Sequence, residues 1–210
     1  MYRRKLTISR VKNIFKFVSQ KMSSVYLVES FLEFDACFHF EYSPNVVSFE
    51  TQPLGFKYYF EGKQCPYTPD VLVNDLKNGE RFVEIKPVTK TINGEFRSRF
   101  KAKQQQALNL GKPLILVTEQ QIRVNPILNN LKLLHRYSGF QSFTPLQFEL
   151  IALVKRIGRV PITKLLQANK VSVGGILASV LGLISHGFMS TDLVTGDFGL
   201  NSKVWLSNGQ

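Results

Sequence analysis

Residues 67–87 read YTPDVLVNDLKNGERFVEIKP, and this stretch decides the fold of the chain around it. It predicts two short strands, Thr68–Asn74 and Arg81–Lys86, both rich in β-branched and aromatic residues. The turn Lys77-Asn78-Gly79 lies between them, and an Asn-Gly pair readily takes the positive φ that a tight hairpin requires. The stretch therefore predicts a β-hairpin near the centre of a sheet.

Three charged side chains meet across this hairpin. Side chains two apart on a strand face the same side, so Glu84 and Lys86 project together, and Asp70 on the neighbouring strand can reach them. Two carboxylates at one point form a hard-oxygen site suited to Mg²⁺ or Mn²⁺. A metal ion there would polarise a phosphodiester and help to deprotonate a water molecule. Lys86 would orient that water and offset the charge that builds on the phosphate. An ordinary ion pair of Lys86 with Asp70 or Glu84 on a sheet face is the alternative interpretation.

The flanking sequence predicts a mixed sheet with helices packed on it. Ser24 is a candidate N-cap for a first helix. The expected elements are a helix over 25–42, strands over 45–50 and 55–60, a helix over 96–110 ended by Gly111, and a buried strand over 113–118.

A different pattern begins at Thr144, after a helix end and a linker over 131–143. The pattern predicts three short helices and a hairpin, which is typical of a winged helix. These elements span 146–157, 162–168, 173–186, 188–191 and 203–206. The helix over 173–186 holds no Lys or Arg, which favours burial or docking on a protein over contact with DNA. We thus expect a basic arm over 1–21, a domain over 22–143 and a second domain over 144–210.

The charge balance points to a polyanionic partner. The chain of 210 residues holds 27 basic and 15 acidic residues, a net charge of +12, which favours nucleic acid. Residues 1–21 hold seven basic residues and no acid, and apolar positions there recur at helical spacing. We interpret this segment as an arm or helix along DNA, with a solvated terminus or a transit peptide as alternatives.

The sequence excludes two classes of protein, disulfide-stabilised scaffolds and membrane proteins. Cys37 and Cys65 cannot form a disulfide framework and predict buried thiols in a reducing compartment, so we expect a cytoplasmic protein, associated with the nucleoid. The most apolar stretch, 176–184, is too short to span a bilayer. No phosphate-binding GxxxxGK[ST] loop is present, so ATP hydrolysis is not expected.

Five ordered motifs resemble the TnsA family, the endonuclease subunit of a transposon. They are Phe31-Leu32-Glu33-Phe34, Pro44-Asn45-Val46-Val47, Phe49-Glu50-Thr51-Gln52-Pro53, Tyr67-Thr68-Pro69-Asp70 and Val83-Glu84-Ile85-Lys86-Pro87. The last two form the PD-(D/E)xK pattern of metal-dependent nucleases. The resemblance covers about residue 25 to about residue 120 and implies an α/β, restriction-endonuclease-like mixed sheet flanked by helices. The small winged-helix tail fits the family's second domain.

The resemblance also implies roles for individual residues. Glu33 would be the helical carboxylate that joins Asp70 and Glu84 in binding metal, and Lys86 would close the motif. Glu29, one helical turn before Glu33, is its competitor, although spacing favours Glu33. Gln52 would support the site or touch DNA, with a turn residue as the alternative. Basic residues of the next helix would contact phosphates, or else form a solvated face: Arg97, Arg99, Lys101 and Lys103.

The function that the resemblance implies is cleavage of the non-transferred strands at the 5′ ends of a transposon. One or two Mg²⁺ ions would serve as cofactor, with Mn²⁺ as a substitute. The expected partners are double-stranded DNA at the transposon ends, a DDE-type transposase (TnsB-like) and an AAA+ regulator (TnsC-like), with no membrane. A stand-alone restriction, repair or junction nuclease and a non-catalytic winged-helix DNA-binding regulator are the alternatives.

Overall fold

The computed structural model describes residues 13–139 and 142–207, and the chain divides into two compact units, Met1–Val124 and Asn125–Gln210. The sequence placed the boundary after residue 143 instead. Of the basic arm predicted over 1–21, residues 1–12 lie outside the described residues.

The first unit contains both strands and helices, with five consecutive strands between α1 and α2. Its elements are β1 (Phe15–Ser19), β2 (Ser24–Val28), α1 (Phe31–Tyr42), β3 (Val46–Thr51), β4 (Phe56–Phe60), β5 (Lys63–Tyr67), β6 (Val71–Asp75), β7 (Gly79–Ile85), α2 (Val88–Thr91), α3 (Gly94–Asn109), β8 (Leu114–Val117) and α4 (Glu119–Ile122).

A four-stranded mixed sheet in the order β3-β6-β7-β8 organises this unit. The pairs β3–β6 and β6–β7 are antiparallel, and β7–β8 is parallel. The β6–β7 hairpin places Val71 opposite Val83, in agreement with the strands and the Asn-Gly turn read from the sequence. The predicted α/β class with a mixed sheet is therefore confirmed, and it is compatible with a restriction-endonuclease-like fold.

Helix α3 packs on one face of the sheet and on the separate β4–β5 hairpin. Asn93 caps its start by accepting a hydrogen bond from Glu95 N, and Gly111 ends the turn that follows with a φ of 74°. The buried cluster beneath α3 consists of Phe56, Tyr58, Tyr67, Phe82, Phe100, Ala107 and Leu114. Because side chains alternate along β7, Glu84 lies on the same face as Phe82, the face that α3 covers.

The first predicted helix is wrong in its opening residues. Residues 24–28 form strand β2, paired with β1 so that Val18 lies opposite Val25, and α1 begins only at Phe31. Ser30, not Ser24, is the N-cap, because its hydroxyl accepts a hydrogen bond from Glu33 N at 3.1 Å. The helical spacing read before residue 19 is also wrong, since Phe15–Ser19 is β1.

The second unit contains four helices and a small antiparallel sheet within its described residues. The elements are α5 (Ile127–Arg136), α6 (Pro145–Ile157), β9 (Val160–Pro161), α7 (Ile162–Ala168), α8 (Val173–Ser185), β10 (Met189–Thr191) and β11 (Lys203–Leu206). The strand order is β10-β11-β9. Thr144 and Gln147 form a capping box at the start of α6, with Pro145 at its first position. The assignment of these elements to a winged-helix domain stays a prediction.

Helix α5 belongs to this unit because it holds the loop between β10 and β11. The Asn130 amide donates to the carbonyls of Leu193 and Gly196 at 2.9 and 2.8 Å, and its oxygen accepts from Phe198 N at 2.9 Å. Asn130 is buried, and α5 also packs against α8. Most apolar residues of α8 are buried, among them Ile176, Val180 and Leu183, whereas Leu177 is half-buried and Val173 is exposed. Burial thus accounts for the apolar character of this helix.

Both cysteines are free thiols, with Cys37 buried and Cys65 half-buried. Among the residues that the structure describes, no helix has the length and apolar character needed to cross a membrane.

Candidate active site

A polar cavity of about 390 Å³ opens where β6 begins and β7 ends. It brings together five of the predicted site residues: Glu33, Asp70, Glu84, Lys86 and Lys103. The remaining lining residues are Glu29, Pro66, Tyr67 and Thr68. Four other predicted residues do not line it: Gln52, Arg97, Arg99 and Lys101.

Asp70 is held at the junction of the two strands. Its backbone N–H donates to Val83 O at 3.1 Å, which continues the β6–β7 ladder by one residue. Its carboxylate oxygen Oδ2 accepts from Ile85 N at 2.7 Å and from Lys86 Nζ at 3.0 Å.

Burial changes the protonation of this carboxyl group. Desolvation raises the pKa of Asp70 to about 7, against the opposing effect of the Lys86 ammonium group. Negative charge on Glu84 and Glu33 adds to the rise. The pKa of Lys86 is itself raised, because its attraction to Asp70 and Glu84 outweighs its own burial. Asp70 and Lys86 therefore form a close, buried pair whose charges depend on each other.

Glu84 is the most deeply buried carboxylate of the cavity, with 3% of its surface exposed. Its Oε2 accepts a hydrogen bond from the Tyr67 hydroxyl. Its Oε1 lies 3.4 Å from Lys86 Nζ and 3.5 Å from Lys103 Nζ. Burial and the neighbouring Glu84 charge raise the pKa of Tyr67, so its hydroxyl stays protonated and donates. No sequence pattern indicates the Tyr67 contact.

Glu33 and Glu29 both line the cavity, but they do not share a helix. Glu33 is the third residue of α1, and its carboxylate accepts from Ser30 Oγ at 2.8 Å and from Glu29 N at 3.1 Å. Glu29 precedes the helix, so the expectation that it lies one helical turn from Glu33 is wrong. The capping bonds fix the Glu33 side chain, which is 6% exposed, at the cavity wall.

Gln52 supports the site through its backbone. Its N–H donates to Asp70 O at 2.9 Å, and its φ of 50° is unusual for a residue other than glycine. Its side-chain oxygen is buried without a hydrogen-bond partner among the described residues. The predicted contact of Gln52 with DNA stays a prediction.

The other basic residues of α3 lie outside the cavity. Arg99 pairs with Glu95 at 2.9 Å and lies over the Phe60 ring. Arg97 donates to Thr91 O at 3.3 Å, and Lys101 is exposed. Lys103 differs from these three, because its side chain is only 15% exposed and reaches Glu84.

The donor set of the cavity fits the divalent ion that the resemblance implies. Four carboxylates and two ammonium groups line it, and a cation would offset the excess negative charge. Within residues 13–139 and 142–207, no three His, Cys, Asp or Glu side chains are grouped so that they could hold an ion. Mg²⁺, however, commonly takes one or two carboxylates, with waters and phosphate oxygens completing its shell. Asp70 with Glu33 or Glu84 would form that smaller set.

The comparison with known proteins agrees with this geometry. No curated protein matches the chain. Residues 43–119 match the family described as TnsA-like endonuclease N terminal. The matched range includes Gln52, Asp70, Glu84, Lys86 and Lys103, and it begins after Glu33. Residues 43–119 are therefore similar to the TnsA-like endonuclease N-terminal family, which confirms over this range the resemblance indicated by the sequence motifs.

Proposed function

We propose that this protein is a metal-dependent DNA endonuclease subunit of a heteromeric transposase. It hydrolyses phosphodiesters at the 5′ ends of a transposon, on the strands that are not transferred. The observation that carries the proposal is the 3.0 Å contact of Lys86 with Asp70, which closes the PD-(D/E)xK motif inside the TnsA-like segment. A purely structural ion pair does not require three further carboxylates in the same cavity.

Each side chain of the cavity has a role in this proposal. Asp70, together with Glu33 or Glu84, holds one or two Mg²⁺ ions, for which Mn²⁺ substitutes. A bound ion supplies Lewis-acid polarisation of a phosphate oxygen. Lys86 contacts the phosphate and offsets the negative charge that develops there. Gln52 supports the Asp70 backbone. Along α3, Arg97, Arg99 and Lys101 contact phosphates beside the bond that is cut.

The partners follow from the proposed reaction. The substrate is double-stranded DNA at the transposon ends, which suits a net charge of +12. A DDE-type, TnsB-like transposase cuts and joins the 3′ ends, and an AAA+, TnsC-like regulator completes the machinery. The reaction takes place in the cytoplasm.

The test compares Asp70→Ala and Lys86→Ala with Lys112→Ala. Lys112 is a matched control, because it pairs with Glu80 at 2.8 Å and does not line the cavity. Cleavage of a plasmid that carries the transposon end is measured with Mg²⁺ or Mn²⁺, with and without the neighbouring DDE transposase. The two site variants should lose at least about 100-fold in rate, because a charged group of the reaction centre is removed. Lys112→Ala should cut normally.

Three outcomes separate the candidate functions. Cleavage that requires the DDE partner supports the transposase subunit, whereas strong cleavage by the chain alone supports a stand-alone nuclease. Normal cleavage by a folded Asp70→Ala chain would eliminate the assignment of this cavity as the nuclease site. Circular dichroism of each variant verifies that the chain is folded.

A further inference from the structure

Glu84 connects two lysines at the active site. Its Oε1 lies 3.4 Å from Lys86 Nζ and 3.5 Å from Lys103 Nζ, while its Oε2 accepts from Tyr67. Two ammonium groups repel each other, and a shared carboxylate oxygen offsets that repulsion. The PD-(D/E)xK motif contains only the first of these lysines. The second comes from α3, which packs across the same face of the sheet.

Lys103 is held more firmly than an ordinary helix-surface lysine. Its Nζ lies 4.0 Å from the centroid of the Tyr67 ring, whose hydroxyl also holds Glu84. One tyrosine thus positions both members of the Lys103–Glu84 pair. Lys86 shares the same Glu84 oxygen, so a single carboxylate oxygen is the counter-charge of both ammonium groups.

The chemistry of the ammonium group leaves room for a negatively charged ligand. An ammonium group has three N–H donors and no acceptor. Lys103 makes one ion pair, with Glu84, among the described residues, and it faces the same cavity as Asp70 and Lys86. A phosphodiester that binds beside Asp70 and Lys86 therefore also lies close to Lys103.

We propose that Lys103 binds a non-bridging oxygen of the phosphodiester that is cut, and that Glu84 and Tyr67 position it for this contact. This inference rests on the proposed nuclease function and deepens it. Lys103 is then a catalytic residue, whereas Tyr67 acts through Glu84 and Lys103 as a positioning residue. Other basic residues of α3 contact the DNA only beside the site.

The test uses the full chain and the variants Lys103→Met, Lys103→Arg and Lys112→Met. Lys112 is again the matched control, since it also pairs with a carboxylate and lies over an aromatic ring, that of Phe82, but outside the cavity. Binding of a duplex oligonucleotide is measured in EDTA across a salt series. The nicking rate is measured with Mn²⁺ and the DDE transposase partner at saturating DNA, and the melting temperature of each chain is recorded.

Lys103→Met should reduce by about one the slope of the logarithm of the DNA-binding constant against the logarithm of the salt concentration, because one phosphate contact is lost. It should also slow nicking at saturating DNA by about 10- to 100-fold, the loss expected for one charge-assisted hydrogen bond. Lys103→Arg keeps the charge and should restore the salt dependence and part of the rate. Lys112→Met should match the wild type in rate.

Two results would overturn the inference. One is wild-type nicking by Lys103→Met at saturating DNA. The other is a change in the salt dependence of DNA binding by Lys103→Met that Lys103→Arg does not reverse. That result would show that Lys103 only packs against Glu84. A wild-type chain that neither binds nor cuts DNA, even with its transposase partner, would instead remove the proposed function on which the inference depends.

Discussion

Asp70 is the residue whose charge state links stability to the proposed reaction. Its pKa in the folded chain is about 7, whereas an unfolded aspartate titrates near 4. Between these values the folded state binds more protons than the unfolded state, so the free energy of unfolding falls as the pH rises from about 4 to about 7. The ionised carboxylate is therefore a cost to folding at neutral pH. A bound cation would offset this cost.

Asp70→Asn should remove this pH dependence. As the pH rises from about 4 to about 7, the free energy of unfolding of the variant should increase relative to that of the wild type. The difference can reach a few kcal/mol, because each unit of pKa shift corresponds to about 1.4 kcal/mol. Chemical denaturation of both chains at a series of pH values measures the difference. Mg²⁺ should raise the melting temperature of the wild type and not that of the variant. A stability difference that stays constant with pH would show that Asp70 does not titrate in this range.

The core of the site could be predicted because it is local. Asp70, Glu84 and Lys86 lie within one hairpin, and a period of two residues along a strand is enough to bring their side chains together. Lys103 could only be read as one of several basic residues on a helix. Its contact with Glu84 depends on how α3 packs against the sheet, which no local pattern encodes. The role of Tyr67 as a donor to Glu84 was missed for the same reason.

At the scale of elements, the β1–β2 hairpin is joined to α1 by one buried carboxylate. Glu41, near the end of α1, accepts from Ser19 Oγ at 2.5 Å, Gln20 N at 2.9 Å and Lys21 N at 2.8 Å. In return, Lys21 Nζ donates to three carbonyls, those of Phe40, Ser43 and Val46, at 2.8–2.9 Å. The hairpin turn and the helix end thus satisfy each other's polar groups.

Glu41→Gln should therefore destabilise the chain. An amide has one acceptor oxygen, so it keeps both backbone N–H donors only when its NH₂ group replaces Oε2 beside the Ser19 hydroxyl, and the negative charge of the acceptor is lost. We expect a loss of about 1–3 kcal/mol in the free energy of unfolding, because hydrogen bonds to a charged group contribute about that much. Glu80→Gln is the control, because the Glu80–Lys112 pair is exposed and should contribute less than about 1 kcal/mol. Equal effects of the two substitutions in urea denaturation would contradict this account.

The same contacts explain why the start of α1 was mispredicted. The apolar residues before Glu29 fit helical spacing, yet they pair with β1 through a turn in which Ser23 has a φ of 47°. That choice depends on a partner strand and on Glu41, neither of which is visible in a short window. Strand β5 was also missed, because Pro66 and its polar neighbours are uncommon in strands. It forms as the partner of β4 and delivers Tyr67 to the site.

At the scale of the whole molecule, the structure divides the chain after Val124, whereas the sequence predicted a boundary after residue 143. The helices after Thr144 were predicted almost to the residue, because capping and periodicity are strong local signals there. Helix α5 was assigned to the first domain, since only its end was recognised. Its place in the second unit rests on the Asn130 hydrogen bonds, which span more than sixty residues, and on packing against α8.

The corrected boundary predicts which fragment of the second unit folds. A fragment of residues 144–210 lacks α5, so it leaves the carbonyls of Leu193 and Gly196 and the Phe198 N–H without their buried amide partner. It also removes Leu128, Leu131 and Leu134, all buried, and each loss of a buried leucine costs about 2–5 kcal/mol. Together these losses are comparable with the 5–15 kcal/mol that typically stabilises a small domain.

Residues 125–210 should therefore unfold in one cooperative thermal transition, whereas residues 144–210 should show none. Circular dichroism melts of the two fragments measure this difference, and Asn130→Ala in the longer fragment gives the intermediate case. A cooperative melt of residues 144–210 at the same temperature would show that α5 is dispensable.

The outcome also determines how partner binding by the second unit is tested. Because α8 is buried inside its own unit, capture of a transposase or AAA+ partner requires an intact second unit, and we expect it only from a fragment that includes α5.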